Sequence, residues 1–150
     1  MSDLGVRPVR ASDWQNWLPL WRGYHDFYRN DPSDEVTRTT WARFLDAAEP
    51  VHALVAQRAE HLVGTVHYLY HRNTWMIAPV CYLQDLFTLP ETRGEGVGRA
   101  LIDAVYAEAR KAGSPRVYWM THETNAQARG LYDKIAERSG FIQYRKALQP

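Results

Sequence analysis

The 150-residue chain is predicted to be a mixed α/β (α+β) domain, a sheet covered by helices. Three observations carry this. Apolar, β-prone runs at 51–56, 62–70 and 77–89 are joined by tight turns, as in hairpins. Amphipathic helical stripes follow strand-like runs at 97–112 and 126–139. Gly113 and Gly140 stand where those helices should end.

In chain order, Val6 to Val9 suit a first strand. Ser12 with Gln15 three residues on is a capping-box pattern opening the first helix. Trp14, Trp17, Leu18, Trp21, Tyr24 and Tyr28 form its stripe, and Pro19 should kink or divide it near Leu18. A polar turn, Asn30-Asp31-Pro32-Ser33-Asp34, leads into a second helix from Glu35 to Ala47, with Val36, Trp41, Phe44 and Leu45 as its apolar residues. Val51 to Ala56 and Leu62 to Tyr70 read as a hairpin turning near Ala59-Glu60. Asn73-Thr74 is the next turn, and Ile77 to Leu89 a fourth strand. A glycine turn, a helix (Val97 to Ala112), a strand (Arg116 to Thr121), a helix (Ala126 to Ser139) and a final strand (Phe141 to Lys146) complete the chain. The order is β-α-α-β-β-β-α-β-α-β. No repeat or linker divides it, so residues 1–150 are expected to form one domain, long enough to bury a core without staples.

Composition narrows the function. Eighteen Lys+Arg against 17 Asp+Glu give a formal net charge of +1, without a basic patch, so nucleic acid is not expected as a partner. No stretch approaches membrane-spanning length, and Met1-Ser2-Asp3 lacks the basic and apolar regions of a signal peptide, which leads us to expect a cytoplasmic protein. The single cysteine, Cys81, lies in an apolar strand and reads as a small buried hydrophobe in a reducing compartment. The histidines show no metal-ligand spacing, so no metal is expected. Six tryptophans and nine tyrosines suit an aromatic pocket, a dimer face or a generous core.

The chemistry starts at Arg93-Gly94-Glu95-Gly96-Val97-Gly98-Arg99-Ala100, between the fourth strand and the next helix. Three glycines in five residues let the backbone turn with its N–H groups outward, and the helix adds partial positive charge: a cradle for phosphate. The dinucleotide fingerprint fails because the third glycine comes one residue early. The P-loop fails because Arg99 and Ala100 stand where Lys and Ser or Thr are needed. An ordinary glycine-rich turn has the same look.

Arg93 through Gly98 reads R-x-x-G-x-G and resembles the pyrophosphate loop of the GNAT superfamily, the acyl-CoA-dependent N-acyltransferases. Asn125, a favourable helix N-cap, and Tyr132 seven residues later match in type and spacing the pair that in those enzymes contacts the coenzyme and stands near its sulfur. Tyr82 to Phe87 looks like the strand that holds the pantetheine arm through main-chain hydrogen bonds. The resemblance covers roughly the last two-thirds of the chain. It is closest to the small histone and polyamine acetyltransferases and related D-amino-acid N-acetyltransferases, of which Tyr118-Trp119-Met120-Thr121 looks characteristic.

The resemblance implies a mixed, mostly antiparallel central sheet with helices on both faces, acetyl-CoA as co-substrate, and a homodimer. It implies coenzyme contacts at Leu86, Phe87 and Thr88, at Arg93, Gly94, Glu95, Gly96, Val97, Gly98 and Arg99, and at Asn125 and Ala128. Its reaction is direct transfer of the acetyl group, in a ternary complex, to a primary amine: a small amine, a polyamine or a lysine side chain. A main-chain N–H between Leu86 and Thr88 would polarise the thioester carbonyl. Tyr132, protonated at neutral pH, would act as general acid toward the leaving thiolate.

The base is where the chain departs from the pattern. Spermidine/spermine-type enzymes have a Glu where this chain has Gln84, which cannot take a proton. Asp85 is adjacent, but strand alternation turns it to the other side of the sheet. Glu123 and His122 are the alternatives, and each reads equally as a solvated loop residue. For the acceptor amine, Tyr24, Asp26 and Gln84 offer charge and aromatic contact, with Trp75 as a possible wall. A non-catalytic acetyl-CoA-binding sensor fits the glycine turn as well, and the missing Glu at position 84 keeps it open.

Overall fold

The computed structural model describes residues 3–148. They divide into two compact units, 3–119 and 120–148. In the first, β1 (Leu4–Pro8), α1 (Trp14–Phe27), α2 (Asp34–Phe44), β2 (Val51–Arg58), β3 (His61–Asn73), β4 (Met76–Thr88), α3 (Val97–Lys111) and β5 (Val117–Tyr118) follow in order. The sheet has the order β1-β2-β3-β4-β5. Its pairs are antiparallel except β4–β5, which is parallel and short, matching Cys81 to Val117 and Tyr82 to Tyr118.

Each face of the sheet takes a helix because alternate strand residues point opposite ways. On one face Val55 joins Trp17, Leu20, Trp21 and Trp41 in a closely packed core. Trp17 and Trp41 sit with ring centroids 4.7 Å apart, so the tryptophans are mainly core. On the other face, Val97, Leu101, Ile102, Val105 and Ala109 form the buried stripe of α3. Gly64 of β3 has the side chains of Leu101 and Val97 about where its own Cβ would be, at 3.0 and 3.1 Å. A second close approach brings Gly23 of α1 against the Phe87 ring of β4, which a Cβ at position 23 would meet at 2.6 Å. The mixed, mostly antiparallel sheet with helices on both faces is therefore the one expected.

Several local expectations give way. The first helix is not opened by Ser12 and Gln15. Asp13 stands at its N-cap without capping any of its N–H groups; the carboxylate closes the short turn before it, accepting the Arg10 N–H at 2.8 Å and the Arg7 guanidinium at 2.8 and 2.9 Å. Pro19 does not divide α1, which runs unbroken from Trp14 to Phe27. The proline lies on the exposed face, where water can serve the carbonyl that loses its donor. The second helix starts at Asp34, with the Ser33 hydroxyl accepting the Val36 N–H at 3.1 Å, and ends at Phe44.

In residues 120–148, α4 (Ala126–Ile135) is the sole element. It buries no side chain, and Ala136 turns extended at φ −154°, four residues short of the expected end at Ser139. A short helix without an apolar seat has little to prolong it. The expected final strand, Phe141 to Lys146, is not formed: a strand needs a hydrogen-bonding edge, and this unit contains none. Phe141, Ile142 and Tyr144 are exposed.

Candidate active site

The glycine turn is shaped as an anion cradle. Gly94 and Gly96 have φ of +84° and +83°, and nothing lies within 4 Å of where a Cβ would stand on either. The conformation calls for glycine, and the open space leaves room for a ligand to approach the backbone. The Arg93 and Glu95 amides are engaged inside the turn, by the carbonyls of Pro90 (3.3 Å) and Thr92 (3.2 Å). Val97, Gly98 and Arg99, at the start of α3, keep N–H groups that no intrahelical carbonyl accepts, since the first helical bond runs from Ala100 to Gly96. The Glu95 carboxylate turns to Arg58, 2.7 Å away, and Arg99 pairs with Asp103 at 3.2 Å.

Beside the turn lies an open strand edge. β5 pairs with β4 at Cys81 and Tyr82 alone, so from Leu83 to Thr88 the second edge of β4 faces no strand of its unit. Leu89 donates to the Val63 carbonyl at 2.9 Å. By alternation Phe87 also points its N–H at β3, which leaves the amides of Leu86 and Thr88 on the open side. Cys81 is fully buried, and burial pushes its thiol up to about 12. It is packing, not a nucleophile.

A β-bulge changes the reading of the next residues. β3 and β4 pair His67 with Asp85 but Tyr68 with Leu83, so Gln84 has no partner across the ladder. Two residues then oppose one, and simple alternation no longer holds. Gln84 and Asp85 both line a cavity of about 240 Å³ between α1, α2 and the sheet, together with Trp21, His25, Phe44 and His67. Alternation thus misplaced Asp85: it lies on the same cavity as Gln84.

Asp85 is tightly held. Its Oδ2 is 2.8 Å from His67 Nδ1, with the two side chains 14% and 4% exposed. The other ring nitrogen, His67 Nε2, lies 3.1 Å from the Trp17 indole N–H, a group that can only donate. Nε2 therefore carries the lone pair, and Nδ1 carries the proton it donates to Asp85. The histidine is neutral, and its contact with Asp85 is a hydrogen bond rather than an ion pair. Tyr24 lies within electrostatic reach of Asp85, and burial, then the Asp85 charge, hold its phenol protonated far above the usual range. His25 is shifted down, chiefly by burial. Its Nδ1 meets Asn30 Nδ2 at 3.0 Å, and its buried Nε2 has no hydrogen-bond partner among the described residues.

The remaining expected residues fall elsewhere. Asp26 is exposed and lines a neighbouring cavity of about 270 Å³, with Arg22, Asp31, Asp34 and Arg38. Trp75, at the β3–β4 turn, is 76% exposed and lines neither cavity. In the second unit Asn125 caps α4, its Oδ1 accepting the Ala128 N–H at 3.3 Å while its Nδ2 reaches Thr121 at 3.4 Å. Glu123 and His122 are exposed, and the Glu123 carbonyl accepts from Arg129 at 2.7 Å. Tyr132 is half-buried on α4. Sequence reasoning missed His67 and Trp17 as site residues. The available signal is Gln84-Asp85, two polar residues in succession within an otherwise apolar strand.

A turn of main-chain amides ahead of a helix, next to a strand edge that no strand of its unit pairs, has the chemistry to receive an anion and an extended arm. The chain belongs to the acetyltransferase (GNAT) family, whose pattern it matches over residues 14–136. It is an acetyl-CoA-dependent N-acetyltransferase. It is 35% identical over 143 residues to a D-amino-acid N-acetyltransferase of Saccharomyces cerevisiae, covering 94% of this chain and 89% of that one. A thialysine N-epsilon-acetyltransferase of Mus musculus is 23% identical, with 97% and 93% covered. Among solved structures, the aminoglycoside N-acetyltransferase AAC(6')-Iy in complex with CoA has the same fold, at a TM-score of 0.82 and 21% identity over 99% of this chain and 97% of that one.

Proposed function

We propose that residues 1–150 act as one N-acetyltransferase domain that moves the acetyl group of acetyl-CoA to a primary amine, a small amine or a lysine-like side chain, by direct attack in a ternary complex. The observation that carries this is the paired turn and edge: free amides at Gly94, Gly96, Val97, Gly98 and Arg99 suit a diphosphate, and the outward amides of Leu86 and Thr88 suit an extended arm and a polarised thioester oxygen. Arg93, exposed beside the turn, adds positive charge. Phe87, Glu95, Asn125 and Ala128 would frame the coenzyme rather than bind it through the Glu95 and Ala128 amides, which already have acceptors.

Tyr132 is assigned the general acid's role, on its residue type and its spacing from Asn125. Two carboxylates compete for the amine's proton: Glu123, suggested by the sequence, and Asp85, at the bulge. An amine acceptor is also supported by the relatives' substrates, D-amino acids and thialysine. The buried thiol of Cys81 fits a reducing, cytoplasmic setting, and the exposed Phe141, Ile142 and Tyr144 suit a homodimer contact.

The test is free-thiol release from acetyl-CoA over a panel of lysine, thialysine, D-amino acids, diamines and aminoglycosides. Turnover with at least one amine is expected, and Tyr132→Phe should lower its kcat by roughly 10²-fold or more with coenzyme affinity unchanged. Tight coenzyme binding without turnover of any amine would favour a sensor instead. An unaltered kcat in Tyr132→Phe would remove that residue from its role.

A further inference from the structure

Asp85 is a charge without a counter-charge. Among the described residues no Lys or Arg pairs with it, and none lines its cavity. Its hydrogen-bonding partner, His67, is a neutral donor, and the Tyr24 phenol within electrostatic reach is neutral too. They stabilise the carboxylate without cancelling it, and an unpaired charge held largely out of water is costly unless something of opposite sign arrives. Tyr24, Tyr28 and Tyr82 all lie within electrostatic reach of this carboxylate, and Tyr24 and Tyr28 have ring centroids 5.0 Å apart. A carboxylate on a cavity that Trp21 and Phe44 also line is complementary to a small organic cation.

We propose that Asp85 receives the ammonium group of the acceptor and takes its proton, with His67 as the positioning residue that aims the carboxylate. This rests on the acetyltransferase reading above and deepens it: the acceptor enters as a cation, through the cavity walled by α1, α2 and the β4 bulge. One proton of the ammonium passes to the Asp85 carboxylate and on to water. The freed nitrogen pair attacks the thioester carbonyl, the N–C bond forms, and the C–S bond breaks with its electron pair going to sulfur. The second proton, lost as the amide forms, balances the one the thiolate takes up. Gln84, beside Asp85, offers the amine a carbonyl oxygen without competing for its proton.

The role of His67 follows from its two fixed hydrogen bonds. Trp17 holds the lone pair of Nε2, so the Nδ1 proton always faces Asp85. The carboxylate is oriented by a group that does not itself take the amine's proton.

The experiment compares ethylamine, an alkylammonium ion at neutral pH, with 2,2,2-trifluoroethylamine, whose far weaker basicity leaves it neutral there. Thiol release from acetyl-CoA is followed for the native protein, Asp85→Asn, His67→Leu and His67→Asn. Asp85→Asn should lose roughly 10²- to 10⁴-fold in kcat/KM for ethylamine and under about tenfold for trifluoroethylamine, which needs no proton acceptor. His67→Leu should lose about 10- to 100-fold for ethylamine, and His67→Asn, which can present an N–H near the old Nδ1, should recover most of that. Equal losses for the two amines, or none, in Asp85→Asn would overturn the assignment while leaving the acetyltransferase intact. No turnover of either amine by the native protein would overturn the entry of a simple alkylammonium ion through this cavity, and no turnover of any amine of the wider panel would overturn the acetyltransferase reading as well. Should His67→Leu fail to fold, Asp85→Asn and His67→Asn still decide the matter.

Discussion

Asp13, at the head of α1, and Asp85, at the β4 bulge, are the same residue in contrasting company. Both side chains are mostly buried and both accept hydrogen bonds. Asp13 has its cation built in: the Arg7 guanidinium grips both oxygens, and the Arg10 N–H adds a third bond. Asp85 has a neutral donor and an adjoining cavity. A carboxylate whose charge is answered within the chain holds the fold together. One whose charge is left unanswered beside a cavity is free to answer a ligand.

The contrast can be broken in three places. The largest effect should come from adding a carboxylate where an anion belongs. Gly96→Asp sets a side chain at φ +83°, which costs about 1–2 kcal/mol, and puts negative charge in the cradle. Coenzyme affinity measured by calorimetry should fall about 100-fold or more, and an unchanged affinity would mean the turn does not hold the diphosphate.

Asp13→Asn should come next, as a loss of stability of about 1.5–3 kcal/mol at neutral pH, read by denaturant unfolding. Its pH dependence has a definite sign. The Arg7 hydrogen bonds hold the Asp13 carboxyl below its usual value of 3.8. A depressed folded-state pKa gives stability that is present above the unfolded value and is lost as pH falls toward the folded one. The gap between native and variant should therefore be full above about pH 5 and close as the pH drops below the ordinary carboxylate range. A gap independent of pH would mean that lost packing, not charge, separates the two.

Smallest should be the stability change in Asp85→Asn, under about 1 kcal/mol in either direction, because an amide oxygen still accepts the His67 proton. If this variant unfolds as readily as Asp13→Asn, the distinction between the two carboxylates fails.

These two residues also mark where the sequence could be read and where it could not. The cradle was legible because it is made of consecutive main-chain groups, and Gly94 and Gly96 are demanded by local φ. The same holds for α3, whose buried stripe is a matter of helical spacing. Asp85 was misjudged because alternation assumes an unbroken ladder, and the extra residue at Gln84 shows itself only when β3 is laid beside β4. The triad of Trp17, His67 and Asp85 joins residues 17, 67 and 85, and no local pattern announces that their side chains meet. Asp13 illustrates a milder failure: Ser12 and Gln15 satisfy the capping template, but Asp13 takes the N-cap position, its carboxylate held by Arg7 and by the Arg10 amide of the turn before the helix. At the C-terminal end the expected strand rested on composition, and composition does not supply an edge to pair with.

The missing side chain of Gly23 has a consequence of its own. Because a hydrogen stands where even a methyl group would collide with the Phe87 ring, helix α1 rests on β4 one carbon closer than any other residue would permit. Tyr24 is the very next residue, so this gap works as a shim, setting how far the phenol stands from the carboxylate whose charge it feels. Thickening the shim would retune the receptor for the incoming cation without altering a single group that lines it.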